Sequence, residues 1–255
     1  MLNNAVVFRM RVAELTFSVT CSFASTREYC RDYLVGEDQP ADEVICILPE
    51  HIDQERKLLL SKKQPGQQLE ASTPQALEVL YLCRSIARIL PRYDRVLFHG
   101  SSLAIDGRGV LFTAKSGTGK STHTRLWRQV FGQRVQMIND DKPFLQVTEA
   151  GATVYGTPWR GKHGIGSNLS APLEAICFVC RGDENRVEPM SPRDLFPLLL
   201  QQTYAPEAPE AMVRTLALVE RLSKHVRLYR LYCNMEPQAA ETALRGMEFE
   251  ESGAV

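Results

Sequence analysis

The chain has 255 residues, 44% hydrophobic and 24% charged, with 30 Lys and Arg against 30 Asp and Glu. That composition supports a packed core and excludes intrinsic disorder. A formal net charge of zero offers no electrostatic footprint for nucleic acid or an anionic membrane surface. No apolar run approaches the ~18 residues of a spanning helix, and Arg9 and Arg11 interrupt the one early stretch a secretory leader would need. Seven cysteines, odd in number and scattered, read as reduced thiols of a cytoplasmic protein.

Polar and apolar residues alternate over 14–23, which predicts a half-buried antiparallel strand with Leu15, Phe17, Val19, Cys21 and Phe23 inward. Residues 6–12 make its neighbour and 44–48 a third strand, after which Pro49 opens a short helix to Leu60. The polar Lys62-Lys-Gln-Pro-Gly-Gln-Gln68 reads as a linker, so 1–70 is taken as a small N-terminal α+β region and 71–255 as a second domain. Thr73-Pro74 caps the next helix, which shows Leu77, Leu80, Cys83, Ile86 and Leu90 on one face, leaves Glu78 outside, and stops at Pro91. Strands follow at 95–98, 103–105, 110–112, 135–138, 144–147, 175–179 and 228–232, the second and third joined by the hairpin signal Asp106-Gly-Arg-Gly109. Helices are expected at 120–131, 209–223 and 237–246, with one more after the cap Ser191-Pro-Arg-Asp194 that Pro197 should shorten or kink. Cys177 and Cys180 lie in an apolar run typical of a buried strand, on opposite faces, which makes a metal-binding pair the weaker reading.

Chemistry concentrates in Ala114-Lys-Ser-Gly-Thr-Gly-Lys-Ser121, a P-loop with a small residue in the first place, entered by a strand and left by an amphipathic helix. Such a loop aims backbone N–H groups at phosphate oxygens, so Ser116, Gly117, Thr118, Gly119, Lys120, Ser121 and Thr122 are the candidate nucleotide-binding residues. Lys120 would reach the β- and γ-phosphates and Ser121 would ligate Mg²⁺. Asn139-Asp-Asp141 follows the next strand; alone it is an acidic turn, but beside a P-loop it stands where a metal-ligating aspartate belongs. His99 precedes the hairpin that feeds the loop, and Arg160 and Lys162 in Gly156-Thr-Pro-Trp-Arg-Gly-Lys162 are candidates to stabilise a transferring phosphoryl group.

A His-headed hairpin, Ser-Gly-Thr-Gly-Lys-Ser and a following Asp-Asp resemble the P-loop fold shared by HPr kinase/phosphorylase and ATP-dependent phosphoenolpyruvate carboxykinase, over residues 96–147. The whole chain is similar to small bacterial carboxykinase-like, HPr-kinase-related proteins, in which Gly-Thr-Pro-Trp-x-Gly-Lys and Gln201-Gln-Thr-Tyr204 recur. The resemblance implies an α/β fold with a mixed β-sheet kinase core, beside which the first 90 residues match neither well-known enzyme. It implies ATP and Mg²⁺ as cofactors, Asp140 as acid/base, His99 beside it, and Asp141 with Ser121 on the metal. The kinase's Glu-Ile-Arg-Gly-type segment is absent, which argues against HPr as acceptor; the carboxykinases are much longer, which argues against carboxykinase activity. The expected activity is ATP-dependent phosphorylation of a hydroxyl on a small metabolite (an amino acid or sugar derivative) or on a serine of a small protein or peptide. The rivals are a nucleotide-binding switch with little turnover and reversible kinase/phosphorylase chemistry. No nucleic-acid or membrane partner is expected, and self-association into a homo-oligomer stays open.

Overall fold

The computed structural model describes residues 5–61, 73–115 and 117–249, so the expected linker at 62–68 and the P-loop residue Ser116 lie outside the described residues. The chain divides into two compact units, Met1–Ile89 and Leu90–Val255. The division thus falls after the helix that opens at Pro74, a helix the sequence had grouped with the second domain.

In the first unit, β1 (Val6–Val12) and β2 (Leu15–Cys21) pair antiparallel, α1 (Ala24–Tyr29) follows, and β3 (Leu34–Val35) pairs with β1. β4 (Glu43–Cys46) lies parallel to β2, giving the order β3-β1-β2-β4. The inward set of β2 is as the alternation predicts except at Phe23, which lies past the strand's end at Cys21, half-buried in the N-cap position of α1. Two helices complete the unit, α2 (Pro49–Ser61) and α3 (Pro74–Ile89), and Thr73 Oγ1 caps α3 by accepting from the Ala76 N–H at 3.2 Å. Glu78 corrects the helical-face reading. It is fully buried, and its carboxylate accepts from the N–H groups of Ser22 (2.7 Å) and Phe23 (3.2 Å) and from the Thr26 hydroxyl. The α1 N-terminus has no cap from its own Phe23 side chain, and Glu78 supplies those acceptors from another helix.

The second unit begins with β5 (Arg95–Leu97), the hairpin β6 (Ser101–Ile105) and β7 (Arg108–Thr113), then α4 (Lys120–Phe131). The hairpin turns on Asp106 and Gly107, both at positive φ. Gly109 sits inside β7 instead, where a Cβ would stand 2.7 Å from the Pro172 carbonyl. Next come β8 (Val135–Asn139), β9 (Phe144–Thr148), β10 (Gly151–Tyr155) and the long β11 (Ser170–Arg181). β12 (Arg186–Pro189), α5 (Pro192–Gln202), α6 (Pro209–His225), β13 (Arg227–Cys233) and α7 (Gln238–Gly246) close the chain. β10 and β12 escaped the sequence reading because Gly151, Ala152 and a charged Arg-Val-Glu-Pro give them little β-strand signature. The α5 helix keeps Pro197 inside its 11 residues, and the Ser191 cap is in place, its Oγ accepting from the Asp194 N–H.

The sheet is mixed, in the order β5-β9-β10-β11-β7-β6-β8, with β13 on β11 and β12 on β13. β7, β11 and β13 run parallel. The central runs of β7 and β11 are apolar on both faces because both are covered. Val110 and Phe112 of β7, with Ala175, Cys177 and Val179 of β11, pack into the core beneath α4 and α7. Leu111, Ile176 and Phe178 point the other way, into the core under α5 and α6. This parallel centre delivers the carboxyl ends of three strands to one edge, where α/β sheets bind ligands. No helix of the described residues is long and apolar enough to cross a membrane.

Candidate functional site

β7 ends at Thr113 and the chain turns through the P-loop into α4, whose first residue is Lys120. Gly117 and Gly119 stand at φ 79° and 122°, and a Cβ at either would meet nothing within 4 Å. At both positions the positive φ, and not crowding, is what asks for glycine. The first N–H groups of α4 have no intrahelical acceptor and no side-chain cap. Lys120 Nζ lies against the loop, donating to the Ala114 carbonyl at 3.2 Å, and Thr118 Oγ1 closes the loop onto the Lys115 carbonyl at 2.7 Å. Ser121 is exposed on the first turn of the helix.

The acidic turn lies at the end of β8, and Asn139 builds it. This fully buried amide accepts at Oδ1 from the N–H groups of Asp141 (2.8 Å) and Lys142 (2.7 Å) and donates through Nδ2 to Thr157 Oγ1 (2.9 Å). Asp140 is buried and accepts from the Ser101 hydroxyl at 2.6 Å; Ser101 in turn meets Thr124 of α4 at 3.1 Å. Asp141 is only part-buried. It contacts Lys142 Nζ, and its Oδ1 stands 3.6 Å from Nε2 of His99. The histidine thus faces Asp141, where the resemblance placed it beside Asp140.

His99 is held from three sides. Its N–H donates to the Gln202 carbonyl at 2.7 Å, its own carbonyl accepts from Thr113 Oγ1 at 2.9 Å, and Nδ1 meets Gln202 Oε1 at 3.1 Å. The neighbouring Gly100 gives its N–H to the Asp141 carbonyl at 3.0 Å. Burial first, then the Lys120 ammonium, hold His99 below its ordinary pKa against the pull of Asp141. A neutral ring that donates from Nδ1 to Gln202 presents its Nε2 lone pair toward a carboxylate oxygen. Burial likewise lowers the pKa of Lys120, opposed by the charges of Asp141 and then Asp140.

The loop after β10 lies against the acids. A Cβ on Gly161, itself at φ 69°, would stand 3.1 Å from Asp141 Cβ. Lys142 N–H donates to the Trp159 carbonyl, and Trp159 is buried, stacked on Phe144 at 5.9 Å. Arg160 and Lys162 flank that contact, the first part-buried and the second exposed. The loop is gathered at its base, where Ser167 N–H donates to the Ile138 carbonyl and Gly156 N–H to that of Leu169.

These residues fit a magnesium nucleotide: a glycine cradle, a helix N-terminus, an ammonium, a hydroxyl and two carboxylates. Among the described residues no group of three or more His, Cys, Asp and Glu side chains could hold a metal alone. A divalent ion here would be held by Ser121 and one aspartate, completed by phosphate oxygens and water. Sequence reasoning missed Ser101, Asn139 and Gln202 as structural partners of the site. The signal was present for Asn139, since an Asn ahead of two further polar residues is an Asx-turn former.

On the other flank of the P-loop lies a cavity of about 500 Å³, walled by residues 117–119, 122, 123 and 126, by 179–183 at the end of β11, and by 233–235 after β13. Arg181 from the β11 end donates to the Gly117 carbonyl at 2.9 Å.

No protein-family model matches the chain, and no curated protein matches it. Among solved structures it is similar to the Hpr(Ser) kinase/phosphatase from Coxiella burnetii, with 15% sequence identity and a TM-score of 0.37 over 62% of this chain and 99% of that one.

Proposed function

We propose that the protein is an ATP- and Mg²⁺-dependent phosphotransferase acting on a hydroxyl of a small metabolite or of a serine in a small protein or peptide. The observation that carries this reading is the pairing of His99 Nε2 with Asp141 Oδ1 at 3.6 Å next to Lys120. A neutral imidazole and a carboxylate turned toward each other are two acceptors with no proton between them. A hydroxyl brought between them can give its one proton to either, and a nucleotide switch has no use for such a pair. Asp141 then takes the acceptor proton with His99 beside it, and Asp140, fixed by Ser101, is left to the metal with Ser121. This exchanges the roles that the resemblance implied for the two acids. Magnesium, when bound, neutralises charge on the transferring phosphates; Lys120 does the same from the protein side, and Arg160 and Lys162 lie on the loop over the acids.

The test is incubation with γ-labelled ATP and pools of amino acids, sugars and small proteins. A labelled hydroxyl product is expected, and Lys120→Ala should lower its formation by about 10²–10³. A folded Lys120→Ala protein that transfers at the wild-type rate overturns the assignment.

A further inference from the structure

The end of α5 does more than close a helix. Leu195 and Leu199 anchor it in the core, and Thr203 stops it, its N–H donating to the Leu200 carbonyl and its hydroxyl to that of Leu199. Past that stop the chain is extended, and residues 202–204 run antiparallel along 97–99. His99 N–H donates to the Gln202 carbonyl at 2.7 Å, and Tyr204 N–H to that of Leu97 at 2.9 Å. The alternate positions bond to the other side. Phe98 N–H donates to the Pro143 carbonyl at 3.1 Å, and Gly100 N–H to that of Asp141 at 3.0 Å. His99 is therefore stitched between two segments, one bringing Gln202 and the other Asp141, and the two side chains meet different ring nitrogens.

Held below its ordinary pKa, the neutral ring has one proton, and two acceptors flank it. A carboxylate alone with an imidazole is a stronger acceptor than an amide. A proton drawn to Nε2 would be donated to Asp141, and would occupy the oxygen that has to take a proton from the acceptor hydroxyl. The distances put the ring with the amide instead. Nδ1 to Gln202 Oε1, at 3.1 Å, is a hydrogen bond, whereas Nε2 to Asp141 Oδ1, at 3.6 Å, is beyond one. Asp141 is already paired with Lys142 Nζ, which lessens its claim on the ring.

We propose that Gln202 is a positioning residue of the transfer site: its Oε1 keeps the His99 proton on Nδ1, so Nε2 gives nothing to Asp141 and the facing carboxylate oxygen stays open to the acceptor hydroxyl. The proposal rests on the phosphotransferase reading above and adds to it what sets the ring proton in its central pair. In the step it serves, the acceptor O–H gives its proton to Asp141 while its oxygen bonds to the γ-phosphorus. The bond from that phosphorus to the departing ADP oxygen breaks, and Gln202 exchanges no proton.

The first measurement needs no substrate. NMR of the full chain carrying nitrogen-15 histidine, at about pH 8 where an ordinary histidine is neutral, reads which ring nitrogen holds the proton, and His99→Gln identifies the signal. The wild type should show it on Nδ1. Gln202→Met keeps the backbone bonds and removes the acceptor, so the proton should move to Nε2. Gln202→Lys, a donor alone, should do the same and serves where the methionine variant does not fold. Gln202→Glu restores an acceptor and should hold the proton on Nδ1. In the methionine and lysine variants, kcat for transfer from γ-labelled ATP to the amino-acid, sugar and protein pools should fall about 10–100-fold, the usual cost of removing an orienting partner. Their Mg-ATP affinity by calorimetry should stay within about twofold, and the glutamate variant should recover most of the rate. A wild-type proton on Nε2, or one that stays on Nδ1 without Gln202, overturns the proposal. So does a loss of ATP affinity and thermal stability in step with the rate, which marks a purely structural role. If the wild type transfers nothing, the phosphotransferase reading fails by itself, and the ring proton still decides whether Gln202 holds the tautomer.

Discussion

Each unit of the chain holds a carboxylate at a joint of the fold, Glu78 fully buried and Asp141 only part-buried, and the two are treated in opposite ways. Glu78 in the first unit is surrounded by donors alone, two backbone N–H groups and the Thr26 hydroxyl, and cross-links α3 to the start of α1. Asp141 in the second unit faces a histidine lone pair and lysines, and is left part-exposed at the edge of the sheet. A carboxylate with its valences filled by the fold is structural, because burying charge is tolerable only when it is paired or hydrogen-bonded. A carboxylate whose surroundings await one more proton or cation is arranged for a ligand. The comparison also separates residues that look alike in sequence, for Glu78 and Asp141 are both acids beside apolar runs.

Asp141→Asn should break the comparison most visibly. It should lower phosphoryl transfer by about 10²–10⁴, the usual worth of a positioned acid/base, while chemical denaturation shows little change in stability. Single-turnover transfer beside a urea melt checks both halves, and a melt that collapses together with the activity would place Asp141 in the same class as Glu78. Glu78→Ala should do the reverse: it orphans buried donors and costs about 3 kcal/mol of folding stability, with nucleotide affinity measured on the folded fraction unchanged.

A smaller effect sharpens the contrast within the second unit. Burial lowers the His123 pKa to about 3 from its ordinary 6.5. Between those values the unfolded chain binds a proton that the folded chain refuses, so stability should fall as pH drops below 6.5, by up to about 1.4 kcal/mol per pH unit. Urea midpoints at pH 7 and pH 5 should show this loss in the wild type and a smaller one in His123→Phe. The mildest test concerns thiols. Burial pushes Cys21 and Cys30 up to about 12, whereas Cys46 is exposed on β4. Brief alkylation followed by peptide mass mapping should label Cys46 and leave Cys21 and Cys30 unmodified in the native state.

The parallel centre and the P-loop were legible because both are written locally. Continuous apolar runs mark β7 and β11, and a loop of glycines between strand and helix has a fixed spacing. Glu78 was not legible, since its helix alone gives no hint that the α1 N-terminus, 52 residues away from it at Thr26, needs a cap. The same holds for Gln202 against His99, 103 residues apart, and for Ser101 against Asp140. Periodicity reports which face is buried and says nothing about which distant donor arrives there. The pairing of His99 with Asp141 in place of Asp140 is of this kind too, because adjacent residues at a strand end point in different directions and the backbone path decides between them.

The neck of the loop after β10 has a consequence for how such proteins diversify. A Cβ at Gly156 would stand 1.9 Å from the Ser167 carbonyl and one at Gly166 would stand 2.8 Å from that of Ile138, so the two ends of the loop are pinned to each other and to β8. A segment tied at its base behaves as an exchangeable cassette. Its crown, around Arg160 and Lys162, can change in length and sequence while the stem stays fixed, so on the phosphotransferase reading proposed above a change of acceptor would be accommodated there without moving Asp140 and Asp141.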